Sequence, residues 1–168
     1  MKRNTIFTIN YLPMHPSIQT AFRATRNSRR LLAEYLDNYT LEQLNTIPPG
    51  FNNNMIWNIA HVMVSQQRLV YMLSGLPMMI ADDMANRYMK GTKPEFDVTA
   101  EEVEEIRVLL FTTLDKTEED YKNGVFKNYR EYTTGFGFTL FNAEEAIQFN
   151  NYHEGTHLGV LLSLKKFV

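Results

Sequence analysis

Histidine is the residue type whose spacing in this chain points to chemistry. There are four: His15, His61, His153 and His157. His153 and His157 stand four residues apart, which on a helix is a rise of about 6 Å. Side chains at i and i+4 project side by side. Both fall on an apolar stripe made of Ala143, Ala146, Ile147, Asn150, Val160, Leu161 and Leu164. Two neighbouring imidazoles on a buried face suit two cis ligands of one metal ion. As ordinary core groups they would be costly, because each buried ring must satisfy two nitrogens. The string His153-Glu154-Gly155-Thr156-His157 also spells H-E-x-x-H, the zinc-protease pattern in which Glu is the general base. Such enzymes take a third ligand downstream. Only eleven residues follow His157, and none is His, Asp or Glu. Gly155, in mid-helix, reads as room for close helix packing.

A third ligand must come from elsewhere. His15 precedes Pro16 at a helix start and suits a surface or capping role. His61 lies mid-helix, with Trp57, Val64, Ser65 and Arg68 forming a mixed face beside the core stripe. Taken alone, it weighs equally as a half-buried ring and as a ligand. Three histidines from two helices would leave open, water-filled positions on a zinc- or nickel-like divalent ion. That is the layout of a catalytic site. No general base stands out. Glu154 is turned roughly 100° from each histidine and should face a neighbouring helix or solvent. Asn150 could line the cavity or support a ring N–H. Arg68 could receive an anionic group or form a surface ion pair.

The elements that must position these residues are marked by their caps. Pro16 suits a first helical turn, and Ile18, Ala21, Phe22, Thr25, Ser28, Leu32, Tyr35, Leu36 and Tyr39 follow at helical spacing. Thr40-Leu41-Glu42-Gln43 is a capping box opening a short turn that stops before Pro48-Pro49-Gly50. A second long helix is expected from Asn54 to Ser74, with Ile56, Ile59, Ala60, Met63, Val70 and Leu73 as its stripe and Gly75 as its stop. The connection Leu76–Val98 could hold a short helix near Asp82–Met89. Thr99-Ala100-Glu101-Glu102 reads as a second capping box. Its helix carries Val103, Ile106, Leu110, Leu114, Thr117 and Tyr121 and ends at Asn123-Gly124. Residues 125–141, rich in aromatics and glycine, fit a short hairpin or an ordered loop equally, and could either wall a cavity or simply pack. The Met-rich run Met72, Met78, Met79, Met84 and Met89 could be an adaptable interface, pocket lining or core filling. Asn142-Ala143-Glu144-Glu145 caps the last helix. Four long helices without convincing strands indicate an all-α antiparallel four-helix bundle with long connecting loops.

Composition agrees. The chain has 168 residues, 44% of them apolar and 21% charged. That suits one domain over 1–168, which at this size buries roughly 70% of its unfolded surface. A net charge of −2, from 17 basic and 19 acidic residues, argues against nucleic acid as a partner. The absence of cysteine excludes disulfides, thiolate zinc sites and a cysteine nucleophile. No stretch approaches the roughly 18 consecutive apolar residues of a membrane span. Asn4, Thr5, Thr8 and Asn10 interrupt what would be the apolar core of a signal peptide, so the expectation is a cytoplasmic protein.

The ordered pieces Trp57-Asn58-Ile59-Ala60-His61, Tyr88-Met89-Lys90-Gly91-Thr92-Lys93-Pro94, Gly137-Phe138-Thr139-Leu140 with Ala143-Glu144-Glu145-Ala146, and His153-Glu154-Gly155-Thr156-His157-Leu158-Gly159 run over nearly the whole chain. In order and spacing they resemble the DinB/YfiT-like superfamily of small four-helix-bundle metalloenzymes. The resemblance implies an up-down-down-up bundle, frequent homodimers, and a divalent metal held by His61, His153 and His157. It further implies, in some members, transfer of low-molecular-weight thiols of the bacillithiol or mycothiol type. The family often places Gln after the Gly that follows the last ligand. Here Val160 stands there, so any polar role of that Gln is missing.

Two functions follow as expectations. One is a metal-dependent enzyme, a thiol S-transferase or a hydrolase, acting on a small molecule. A thiol cofactor would supply the sulfur that the chain lacks. The other is a non-catalytic binding or stress-associated bundle whose site is empty or structural.

Overall fold

The computed structural model describes residues 14–168. The reading of the chain's start as free of a signal peptide falls outside the described residues. Helix α1 (Pro16–Asn38) starts at His15, whose Nδ1 accepts from the Ser17 amide at 3.3 Å. The capping role expected of His15 is the one it has. The capping box at α2 (Leu41–Asn45) is complete, with Thr40 and Gln43 each accepting from the other's backbone N–H.

Helix α3 (Met55–Val70) is capped by Asn54. It is shorter than the expected 54–74, because the chain tightens into a 3-10 turn at Met72–Ser74. Gly75, with φ of 72°, closes that turn in the left-handed region open to glycine. The connection holds α4 (Asp82–Arg87). Helix α5 (Ala100–Lys122) is capped by Thr99, which accepts from the Glu102 amide. The return half of that expected box is not formed. The Glu102 carboxylate instead accepts from the Tyr88 hydroxyl at 2.5 Å and from Arg87 at 3.1 Å. A guanidinium and a phenol are stronger partners than one backbone amide. Residues Tyr132–Thr133 (β1) and Thr139–Leu140 (β2) pair antiparallel, so the aromatic segment is a hairpin. Helix α6 (Ala143–Leu164) is capped by Asn142, which accepts from Glu145.

Cross-helix pairs give the bundle its order. Arg26 meets Asp115 and Glu118, and Asp37 meets Arg107, so α1 and α5 run in opposite directions. Thr25 meets Asn151 and Arg29 meets Glu154, so α1 and α6 run together. Gln66 meets Thr117 and Tyr71 meets Asp120, so α3 runs with α5. Asn58 meets His157, and α3 opposes α6. Helix α3 touches all three other long helices and α2. Its expected apolar stripe is too narrow a description, since 13 of its 16 residues are buried. The connection around α4 packs Ile80, Met84, Ala85 and Tyr88 into the core cluster beside α3. Met84 fills core, Met78 and Met79 pack at its edge, and Met72 lines a cavity. Among the described residues no helix is long and apolar enough to cross a membrane.

Candidate metal centre

His61 on α3 and His153 and His157 on α6 come together. One nitrogen from each ring lies within 4.8 Å of the others. Ring centroids are 5.2 Å apart for His61–His153, 4.7 Å for His61–His157 and 4.7 Å for His153–His157. His61 is 4% exposed, and the Trp57 ring stacks on it at 4.6 Å. Of the two readings left open for His61, a half-buried ring or a ligand, the half-buried ring does not hold, since the side chain is buried.

Neighbours set the tautomers. His61 Nδ1 lies 2.6 Å from the Tyr88 carbonyl. A carbonyl can only accept, so Nδ1 carries the proton and Nε2 keeps its lone pair. Nε2 accepts from the Ser65 hydroxyl at 3.2 Å. His157 Nδ1 lies 2.8 Å from Asn58 Oδ1. The amide orientation follows from the other end, where Asn58 Nδ2 donates to Asn53 Oδ1 at 2.9 Å and the Asn54 carbonyl at 2.7 Å. His157 therefore donates from Nδ1 and keeps its Nε2 lone pair. His153 Nδ1 is buried and has no hydrogen-bond partner. Two rings with fixed tautomers and one with an unmatched buried nitrogen fit a divalent ion bound by imidazole.

Burial also keeps the rings neutral. It lowers the pKa of His61, with the Tyr88 carbonyl opposing. Burial, then the charge of His61, bring His153 down to about 4. Burial, then His153 and His61, bring His157 down to about 3. The sign for metal binding follows. Three ordinary histidines would each lose about fourfold to protonation at pH 6, about 70-fold together. His153 and His157, at about 4 and about 3, stay unprotonated there, and His61 is shifted in the same direction, so zinc affinity at these rings is expected to hold within about threefold between pH 8 and pH 6. Chelator competition at the two values measures it. A fall above tenfold would contradict this neutral site.

Several sequence expectations are corrected here. Glu154 turns to a neighbouring helix, as one branch of its reading had it. There it meets Arg29 of α1 at 3.0 Å, with both side chains 0% exposed. It is absent from the cavity wall and is not placed as a protease base. Asn150 supports no histidine; it donates to Glu154 at 2.8 Å. Gly155 is exposed, and a Cβ there would meet nothing within 4 Å. It makes no close helix contact within the chain, because it lies on the side of α6 away from α1 and α3. Arg68 forms no ion pair among the described residues. Sequence reasoning gave no role to Asn58, to the Tyr88 carbonyl or to Arg29.

The histidines sit in a cavity of about 610 Å³. Its walls include Trp57, Met72 and Leu73 on one side and Tyr132, Thr134 and Phe136 of the hairpin on the other. Thr134 shapes the hairpin turn. Its amide donates to the Phe138 carbonyl at 2.8 Å, and its hydroxyl accepts from the Phe138 amide at 3.2 Å.

A family profile described as DinB superfamily matches residues 24–161. The chain belongs to the DinB superfamily. That stretch runs from the third turn of α1 to within three residues of the end of α6, and it contains all three histidines. The all-α fold expected for a DinB-like chain is the one observed. No curated protein gives a significant match. Membership of the DinB superfamily and the histidine cluster are together compatible with a metal-binding site.

Proposed function

We propose that the chain is a metal-dependent enzyme acting on a small molecule, with His61, His153 and His157 as the protein ligands of a divalent ion, zinc or nickel. The supporting observation is the trio of inward, neutral imidazoles at an open cavity, one with an unmatched buried nitrogen. Such an ion, when bound, supplies a Lewis acid that lowers the pKa of a thiol or water beside it.

The chain's own residues do the positioning. The Tyr88 carbonyl holds the proton of His61 on Nδ1, and Asn58 does the same for His157. Trp57 stacks on His61, and the hairpin forms part of the cavity wall. No Asp or Glu lines that cavity. Hydrolysis gains from a carboxylate that aims the metal-activated water and takes up its proton. A thiol, with an ordinary pKa of about 8.5, needs only a modest acidification. The wall therefore favours thiol transfer over hydrolysis. With no cysteine in the chain, the thiol arrives as a cosubstrate.

Plasma mass spectrometry on untagged, chelator-free protein tests the reading. We expect about one zinc or nickel per chain, lost in His61→Ala and His157→Ala. A wild type that takes up neither ion after incubation with both would leave a helical binding module with core histidines.

A further inference from the structure

Three cations and no carboxylate line the cavity that holds the histidines. Arg68 reaches it from α3, Lys90 from the connection after α4, and Arg130 from the segment before the hairpin. None of the three forms an ion pair among the described residues, and neither do Arg23, Arg30, Lys93, Lys127, Lys165 and Lys166, so what sets the three apart is that they share one cavity. Gly135 of the hairpin leaves room for Lys90, since a Cβ there would collide with its Nζ. The 18 lining residues include no carboxylate, in a chain whose acidic residues outnumber its basic ones.

Neutral imidazoles do not offset a divalent ion. A loaded centre together with Arg68, Lys90 and Arg130 places about five positive charges around one cavity, with compensation available only from its occupant. We infer that the thiol cosubstrate or its acceptor is a small polyanion, carrying at least two carboxylate or phosphate groups that the three cations receive. This deepens the proposed function and rests on it for the ion, while the three cations do not depend on the ion. Arg68 and Arg130 can each grip a carboxylate or phosphate with two parallel N–H donors. Lys90 acts as a point charge beside Gly135 of the hairpin.

The chain carries its own reporter, because Trp57 is its only tryptophan and lines this cavity. In zinc-loaded protein, mercaptosuccinate and 2-mercaptoethanol form a pair of thiols that differ in two carboxylates. Titration followed by Trp57 fluorescence and calorimetry should show mercaptosuccinate binding about tenfold tighter or better. The advantage should shrink with salt and fall below about threefold in Arg68→Gln/Arg130→Gln. Equal binding of the two thiols in loaded wild type would overturn the inference while leaving the metal reading standing. Metal-free His157→Ala separates the opposite case. There, salt-sensitive binding of succinate or inorganic phosphate that the same arginine changes abolish would sustain the anion site even if no ion ever loads. No binding of either anion would overturn it. The tighter of the two says whether carboxylate or phosphate is the natural group.

Discussion

Glu154→Ala should destabilise the fold by about 3–5 kcal/mol, because it strands a buried charge. Arg29 is 0% exposed, and its partners converge from two helices. It donates to Glu154 from Nε at 3.1 Å, and to the Leu110 carbonyl at 2.8 Å and the Thr113 hydroxyl at 3.2 Å from one terminal nitrogen. The two neutral acceptors remain after the substitution, but the charge loses its counter-ion. Replacing both partners by apolar residues, in Arg29→Met/Glu154→Leu, should recover most of the loss, since neither charge then needs solvation. Denaturant unfolding of the three proteins measures this. A loss below about 1 kcal/mol in Glu154→Ala would show that the pair is not sealed from water. Glu154→Gln should in addition keep its zinc, since this side chain faces α1 and not the cavity.

Asn58→Ala is expected to weaken zinc binding by about 10–100-fold without touching a ligand. Asn58 accepts from His157 Nδ1, and its own amide is pinned by Asn53 and the Asn54 carbonyl. Asn54 in turn caps α3 and donates to the Asn45 carbonyl at 2.9 Å. The ring orientation of His157 is thus tied through two asparagines to the start of α3. Without Asn58 the ring loses its acceptor and its tautomer preference. Asn58→Asp should retain tight binding, since a carboxylate accepts from Nδ1 more strongly. Zinc affinity by chelator competition, with unfolding curves to check the fold, decides the matter. An unchanged affinity in Asn58→Ala would mean that the ring needs no outside support.

The histidine pair on α6 was legible because i, i+4 spacing is a local property that any helix delivers. The caps at Thr40, Thr99 and Asn142 were legible for the same reason. What sequence could not show depends on contacts between distant segments. The Tyr88 carbonyl reaches His61 only because α4 ends against α3. Asn58 stood in the string Trp57–His61 without a role, because its partner lies 99 residues away. Arg29 did leave a signal. It falls on the stripe of α1 between Thr25 and Leu32, where a charge is out of place, and Glu154 interrupts α6 in the same way. Two opposite charges at two core positions could have been paired on paper. Gly155 was misread because a helical wheel gives the direction of a residue and not what covers it.

Everything that touches the three imidazoles through their nitrogens belongs to the helices or to the end of α4. Part of what the cavity offers a guest comes from elsewhere: Lys90 and Gly91 from a loop, Arg130 from the approach to β1, Tyr132 and Phe136 from the hairpin. Arg68 apart, the cations and the hairpin aromatics that meet a guest are therefore carried by stretches of chain other than those that hold the imidazoles. Substitutions at those loop positions can exchange one guest for another while the imidazoles keep their places and the bundle keeps its stability. A scaffold divided in this way between helices and an aromatic hairpin leaves room for a change of guest without a change of fold.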